Sequence, residues 1–240
     1  MKKLLTPSDW LLIGFSKFND VYGDMRNLYR PQYRRHNLSQ LVYHNIKTKN
    51  IRKIIKDGKA YFELTGQGKD KIRRKYPLLY LQNTPWDKKW RIVIYDIEEK
   101  SKTVRDHLRR KLIELGFAQL QRSVWVSPHD FLQDIHEFLE FNSLLNAVIL
   151  IETANFFVED IKELANKLWQ LDKLNEKYKQ IYEAWKYQKK MRDRIANSDS
   201  KTVNIDIREK FIEVMLLDPF LPEEFLPEDW YGEKTRELFK

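Results

Sequence analysis

Apolar positions change their spacing several times along the chain, and each change marks a predicted element. Trp10, Leu11, Ile13 or Gly14, Phe18 and Val21 recur at helical steps; Thr6 or Ser8 can cap this helix and Gly23 ends it. A short helical piece over about 24–30 stops at Pro31, and a third helix is predicted from about 33 to 48. Leu38, Leu41, Val42 and Ile46 form its inward stripe. Two β-prone runs follow, 51–56 and 59–64, separated by Asp57-Gly58, a dipeptide that favours a tight hairpin turn. Leu64-Thr65-Gly66-Gln67-Gly68 then leads into a basic helix, Lys69 to Lys75. Residues 76–89, with Pro77 and Pro85, form a linker or a packed connection.

The rest of the chain is organised around Trp90 to Pro128. Ile92-Val93-Ile94-Tyr95 is an unbroken apolar run and predicts a strand covered on both faces. Ser101 is placed to cap the next helix, Val104, Leu108, Leu112 and Leu115 make its stripe, and Gly116 closes it. Phe117 to Gln121 and Val124 to Ser127 predict a hairpin ended by Pro128. A helix over about 130–142 buries Phe131, Ile135, Phe138 and Leu139, and Ala147 to Ile151 give a fourth strand. Strand, helix, strand, strand, helix, strand is the order of a ferredoxin-like βαββαβ unit.

Beyond it, Ile161, Leu164, Leu168, Leu171, Leu174, Tyr178, Ile181 and Trp185 step by three or four, predicting one long helix over 157–195. Asn197 to Ser200 break the pattern, and a further helix over about 205–217 carries Ile207, Phe211, Val214 and Met215. Asp218 to Gly232 then holds two Leu-Pro-Glu-acidic steps, each joining proline to acids that suit a helix N-terminus.

The chain has 240 residues, enough for two or three small domains. It has no cysteine, so it has no disulfide framework or thiolate metal site, and a cytoplasmic location fits. No apolar run reaches the ~18 residues of a membrane span, so no membrane partner is expected. Charge is unevenly placed. Residues 1–89 hold 20 Lys and Arg against 7 Asp and Glu, a net of +13, whereas the remainder carries −4. Ten basic residues and one acid, Asp57, fall within 26–59, which points to a polyanionic partner.

Three helices followed by a hairpin is the winged helix-turn-helix arrangement, and Leu64-Thr65-x-x-Gly68 resembles the end of the wing in many bacterial regulators. The partner is then double-stranded DNA, with the third helix in the major groove. Arg34, Arg35, Gln40, Tyr43, His44 and Lys47 are its candidate base-facing residues, since Arg and Gln read guanine and adenine edges. Lys49, Lys56 and Lys59 are placed for phosphates. The fold class is therefore α+β: a winged helix-turn-helix with linker over 1–85, a ferredoxin-like dimerisation domain over 86–156 and a helical C-terminal domain over 157–240.

Other chemistry finds little support. His36, His44, His107, His129 and His136 form no HExxH pattern, and no Gly-x-Ser-x-Gly elbow or Gly-rich phosphate loop occurs. No catalytic residue, metal or cofactor is expected, with one exception carried by resemblance. Tyr95-Asp96-Ile97 at the end of the first central strand resembles the small ferredoxin-like nuclease of CRISPR adaptation complexes. That resemblance implies Asp96 as a catalytic Mg²⁺ or Mn²⁺ ligand, near Glu98 and Glu99.

A second resemblance covers more of the chain. Trp90, Gly116-Phe117 and Val124-Trp125-Val126-Ser127-Pro128 resemble the central domain of PaaX-type transcriptional regulators. Asp218 to Gly232, with Leu168-Trp169-Gln170-Leu171 and Tyr178, resembles their C-terminal domain. The resemblance implies a dimeric repressor that binds DNA, with a small-molecule effector such as an acyl-CoA; phenylacetyl-CoA is the family's best-known one. The 24–50 segment departs from the family pattern, so the DNA-contacting residues rest on local chemistry alone.

Overall fold

A computed structural model describes residues 5–17, 35–56, 59–82, 84–98, 101–194 and 205–239. Among these, nine α-helices and two antiparallel sheets make an α+β chain. Its contacts gather into two units: Pro77–Asp172 with Asp218–Glu228, and Lys2–Tyr76 with Lys173–Leu217 and Asp229–Lys240. No helix among the described residues is long and apolar enough to cross a membrane.

The first unit is built on β3 (Trp90–Tyr95), α4 (Lys102–Glu114), β4 (Ala118–Gln121), β5 (Val124–Ser127), α5 (Leu132–Phe141) and β6 (Val148–Thr153). The sheet order is β4-β5-β3-β6, antiparallel throughout. Val93 and Tyr95 meet Leu108, Leu112 and Leu115 of the α4 region and Ile135 and Leu139 of α5 in one buried core. Each such leucine contributes about 1.5–3 kcal/mol by its burial.

Both helices pack on the same face, so the other face of β3 is covered without a helix of this unit and only in part: Trp90 on that face is buried. Ile92 and Ile94 point the other way and are half-buried, and Ile149 on β6 is 61% exposed. Val104 is also exposed, at the edge of the α4 stripe. Ser101 occupies the N-cap position of α4 without a side-chain hydrogen bond. Gly116 has φ 79°, the left-handed conformation that lets Phe117 N–H reach back to Leu112 O at 3.0 Å.

Residues before β3 are a packed connection. Leu79 is buried in a 3-10 turn, Pro77–Tyr80, and Trp86 lies edge-on to Trp90 and Phe225. Trp90 stacks on Phe156 at 4.8 Å, which gives the entering tryptophan and the first Leu-Pro-Glu step a shared role in packing.

Arg91 was not apparent as a core residue from the sequence, yet it is only 1% exposed. Its guanidinium donates to Asp87 Oδ1 at 2.8 Å and to Glu152 Oε2 at 3.0 Å, the residue opposite it on β6. Buried charge of this kind persists only when paired, and here the pairing ties the strand to its flanking loops.

The predicted long helix is two. Asp160 caps α6 (Ile161–Trp169), accepting from Lys162 N–H and Glu163 N–H at 2.8 and 3.0 Å. Gln170 then adopts φ 54°, and α7 (Leu171–Arg194) starts afresh. Asn166 Oδ1 accepts from Asp172 N–H at 3.0 Å, and Trp169 Nε1–H donates to Gly116 O at 3.0 Å.

In the second unit Tyr178 of α7 is fully buried against Trp230, 5.7 Å between rings, and Asn175 Oδ1 accepts from Tyr231 N–H at 2.7 Å. These contacts seat α9 (Tyr231–Glu237), which follows the second Leu-Pro-Glu step. Phe211 of α8 (Ile205–Met215) stacks on Phe239 at 4.2 Å.

His129 follows β5 in the first unit. Its ring Nε2 lies 2.7 Å from Pro219 O, so Nε2 carries the proton of a neutral imidazole. Burial, helped by the Arg91 charge, pushes its pKa from 6.5 down to about 4 against the pull of the Pro219 bond. A folded pKa below the unfolded one means that stability is complete above pH 6.5 and is lost as pH falls through 4. The full loss is up to about 3 kcal/mol. Asp87 and Glu152, held low by Arg91 and by Lys89 respectively, add a loss of the same sign at lower pH. His129→Gln is expected to narrow the difference in urea-unfolding free energy between pH 7 and pH 4 by about 2–3 kcal/mol. An unaltered difference would show that His129 is not the acid-sensitive group.

Candidate nucleic-acid interface

Thr6 and Asp9 start α1 (Pro7–Lys17) as a capping pair: Asp9 N–H donates to Thr6 Oγ1 at 3.1 Å, and Thr6 N–H donates to Asp9 Oδ2 at 3.1 Å. Asp9 is buried and also holds Lys75 and the Tyr76 hydroxyl at the far end of α3 (Gly66–Lys75). Burial would raise its carboxyl, but hydrogen bonds from Lys75 and Thr6 outweigh that and keep it below the usual range. Trp10, Leu11, Leu12 and Ile13 are buried in this helix; Phe18, Val21 and Gly23 lie outside the described residues.

α2 (Arg35–Lys47) is anchored by a polar residue that periodicity did not single out. Asn45 has no exposed surface; its Nδ2 donates to Leu41 O at 2.8 Å and to Ser8 Oγ at 3.0 Å. Its Oδ1 accepts from Asn50 Nδ2 at 3.0 Å. Val42 is buried beside it, whereas Ile46, expected inside, is 37% exposed. With Asn45 and Val42 inward, Gln40, Tyr43, His44 and Lys47 are all exposed, Tyr43 by 68%. Their spacing of three or four places them in one row along the helix.

Lys49 follows, exposed, with φ 55°. β1 (Ile51–Lys56) and β2 (Lys59–Leu64) pair in the predicted register, with Lys56 opposite Lys59 at the turn end. Asp57 and Gly58 lie outside the described residues, as do the side chains of Lys56 and Lys59. So do Arg34 and the Arg35 side chain, while the Arg35 backbone opens α2.

The other end of the hairpin is stitched to α2 and α3. Thr65 N–H donates to Asn50 O at 3.0 Å, and Thr65 Oγ1 accepts from Gly68 N–H at 3.1 Å, capping α3. α3 therefore begins at Gly66, three residues before the predicted start at Lys69. Gly68 lies directly on the Asn50 backbone.

Asp96 is exposed at the end of β3, where its N–H donates to Ala147 O at 2.9 Å. Glu98 is nearby in sequence and exposed; Glu99 lies outside the described residues. Among the described residues, no three His, Asp or Glu side chains come together in a way that could hold a metal ion.

Two family models match this chain: the PaaX protein central Cas2-like domain over residues 83–165, and the PaaX-like protein C-terminal domain over residues 169–240. The chain belongs to the PaaX family. It is similar to the transcriptional repressor PaaX of Escherichia coli (strain K12), at 26% identity over 188 residues. That match covers 75% of this chain and 59% of the relative, so the chain spans about three fifths of the relative's length. A solved structure, uncharacterized protein Rv0674 from Mycobacterium tuberculosis, shares the fold with a TM-score of 0.57 at 18% identity. The likeness covers 96% of this chain and 89% of that one.

Proposed function

We propose that this chain is a sequence-specific, DNA-binding transcriptional repressor that acts as a homodimer in the cytoplasm. The observation that carries the reading is the row Gln40, Tyr43, His44 and Lys47, exposed along a helix whose inner face is locked by Asn45 and Val42. Lying just before the β1–β2 hairpin, that helix would serve as the recognition helix of a winged helix-turn-helix, laid in the major groove. Gln40 is suited to adenine, Arg34, Arg35 and Lys47 to guanine, and Lys49, Lys56 and Lys59 to phosphates.

The order β4-β5-β3-β6 with both helices on one face supports a ferredoxin-like unit over 86–156. Exposed Ile149 and Ile151 on its edge strand β6 support dimerisation there, since an apolar edge needs covering. A two-fold dimer would pair two winged helices (1–85) with two half-sites. The helical segment over 157–240 would complete the dimer or respond to an effector such as an acyl-CoA.

Asp96→Ala separates this reading from that of a metal-dependent nuclease. With Mg²⁺ or Mn²⁺ present, the full chain is expected to leave labelled duplex, single-stranded DNA and RNA intact. The variant should bind duplex as before and lose no more than about 0.5 kcal/mol of stability, as for an unpartnered surface residue. Metal-dependent cleavage that disappears in Asp96→Ala would overturn the proposal.

A further inference from the structure

We propose that the groove beside α3 is a second DNA-backbone contact, lying outside the α2 row and holding phosphates that flank the recognised bases. The groove is about 780 Å³, and its lining includes Asn50, Gly66, Gln67, Asp70, Lys71 and Arg74. Gln67, Lys71 and Arg74 fall at i, i+4 and i+7 and make one wall of it. Lys71 and Arg74 are exposed, and no ion pair among the described residues engages either. Lys75, at the end of the same wall, is held by Asp9.

The wall is rigid where it matters. Thr65 caps the helix, and Gly68 lets its first turn rest on the Asn50 carbonyl. The two free cations therefore project from a fixed element, which is what a positioning contact to phosphate requires. The lining has no aromatic or branched aliphatic side chain among the described residues, so the groove lacks the apolar anchors of a small-molecule site.

Continuity points to the occupant. The groove starts at Asn50, immediately after Lys47 and Lys49 at the end of α2, and continues along a helix with five basic residues and one acid over 66–75. A backbone strand leaving the α2 row past Lys49 would next meet Lys71 and Arg74. The proposal rests on α2 and the hairpin being the DNA-binding element.

The test is a salt series of duplex affinities for the full chain and the Lys71→Ala/Arg74→Ala double variant, read by fluorescence anisotropy. The variant is expected to bind specific and non-specific duplexes about 10–100-fold more weakly, by one factor for both, with the log–log salt slope reduced by about two per subunit. Asp70→Asn should shift affinity the other way, by a few-fold, as a phosphate gains when a facing carboxylate is neutralised. An unchanged affinity and slope in the double variant, with the unaltered chain still bound, would overturn the groove assignment and leave the α2 reading standing. An unaltered chain that binds no duplex would overturn both. Loss of saturable inorganic pyrophosphate binding with duplex affinity intact would mark a small-anion site and also overturn the assignment.

Discussion

Raising salt from 50 to 200 mM is expected to weaken duplex binding by the full chain about 10³–10⁵-fold, the loss that follows from neutralising ~6–10 phosphates. The reason lies in where the charge sits. The first 89 residues carry +13, and Lys47, Lys49, Lys71 and Arg74 are all exposed. Each cation that meets a phosphate releases a condensed counterion, and that entropy gain shrinks as bulk salt rises. The −4 of the remaining residues adds no such term. A titration across this salt range checks it, and a flat response would mean that the basic N-terminal segment is not in contact with the nucleic acid.

The second large effect concerns two glycines two residues apart, with opposite signs. At Gly68 an added Cβ would lie 2.0 Å from Asn50 O and 2.9 Å from Asn50 C, both backbone atoms that cannot rotate away. Gly68→Ala must therefore lift the first turn of α3 off the α2–hairpin junction and break the Thr65 cap. A loss of at least about 3 kcal/mol is expected, combining overpacking with the lost cap. At Gly66 nothing lies within 4 Å of the added atom. Gly66→Ala should stabilise by about 0.4–1 kcal/mol, because alanine restricts the unfolded chain more than glycine does. Urea midpoints of the two variants check the pair; equal shifts of one sign would contradict the packing described for Gly68.

Legibility from the sequence followed the physics of each element. Hairpins were readable because Asp57-Gly58 and the β-branched runs act locally, and β1, β2 and β5 match their predicted spans. The break at Gln170 was not readable, because Leu168 and Leu171 keep a helical step straight across it; the break depends on Asn166 reaching Asp172. The partial cover on the second face of β3 was not readable, because an apolar run reads alike whether its far side meets a helix or only the partial cover that Ile92 and Ile94 have. Arg91 and Asn45 were missed for a shared reason: polar residues are buried only where partners satisfy them, and the pairings of Arg91 with Glu152 and of Asn45 with Ser8, 61 and 37 residues apart, leave no periodic trace. In the candidate interface, the row Gln40, Tyr43, His44 and Lys47 was legible as the polar complement of the α2 stripe. The groove at α3 was not, since it forms only once Gly68 meets Asn50.

The central claim, that α2 reads DNA sequence as part of a two-fold dimer, is tested most directly by selecting bound sequences from a random duplex library with the purified full chain. The account predicts an enriched, two-fold symmetric site whose half-sites lie about 10–10.5 base pairs apart, or a multiple of that. Gln40→Ala should relax one position in each half-site at a cost of ~1–3 kcal/mol. A pool that remains random under conditions in which the protein is bound would contradict it.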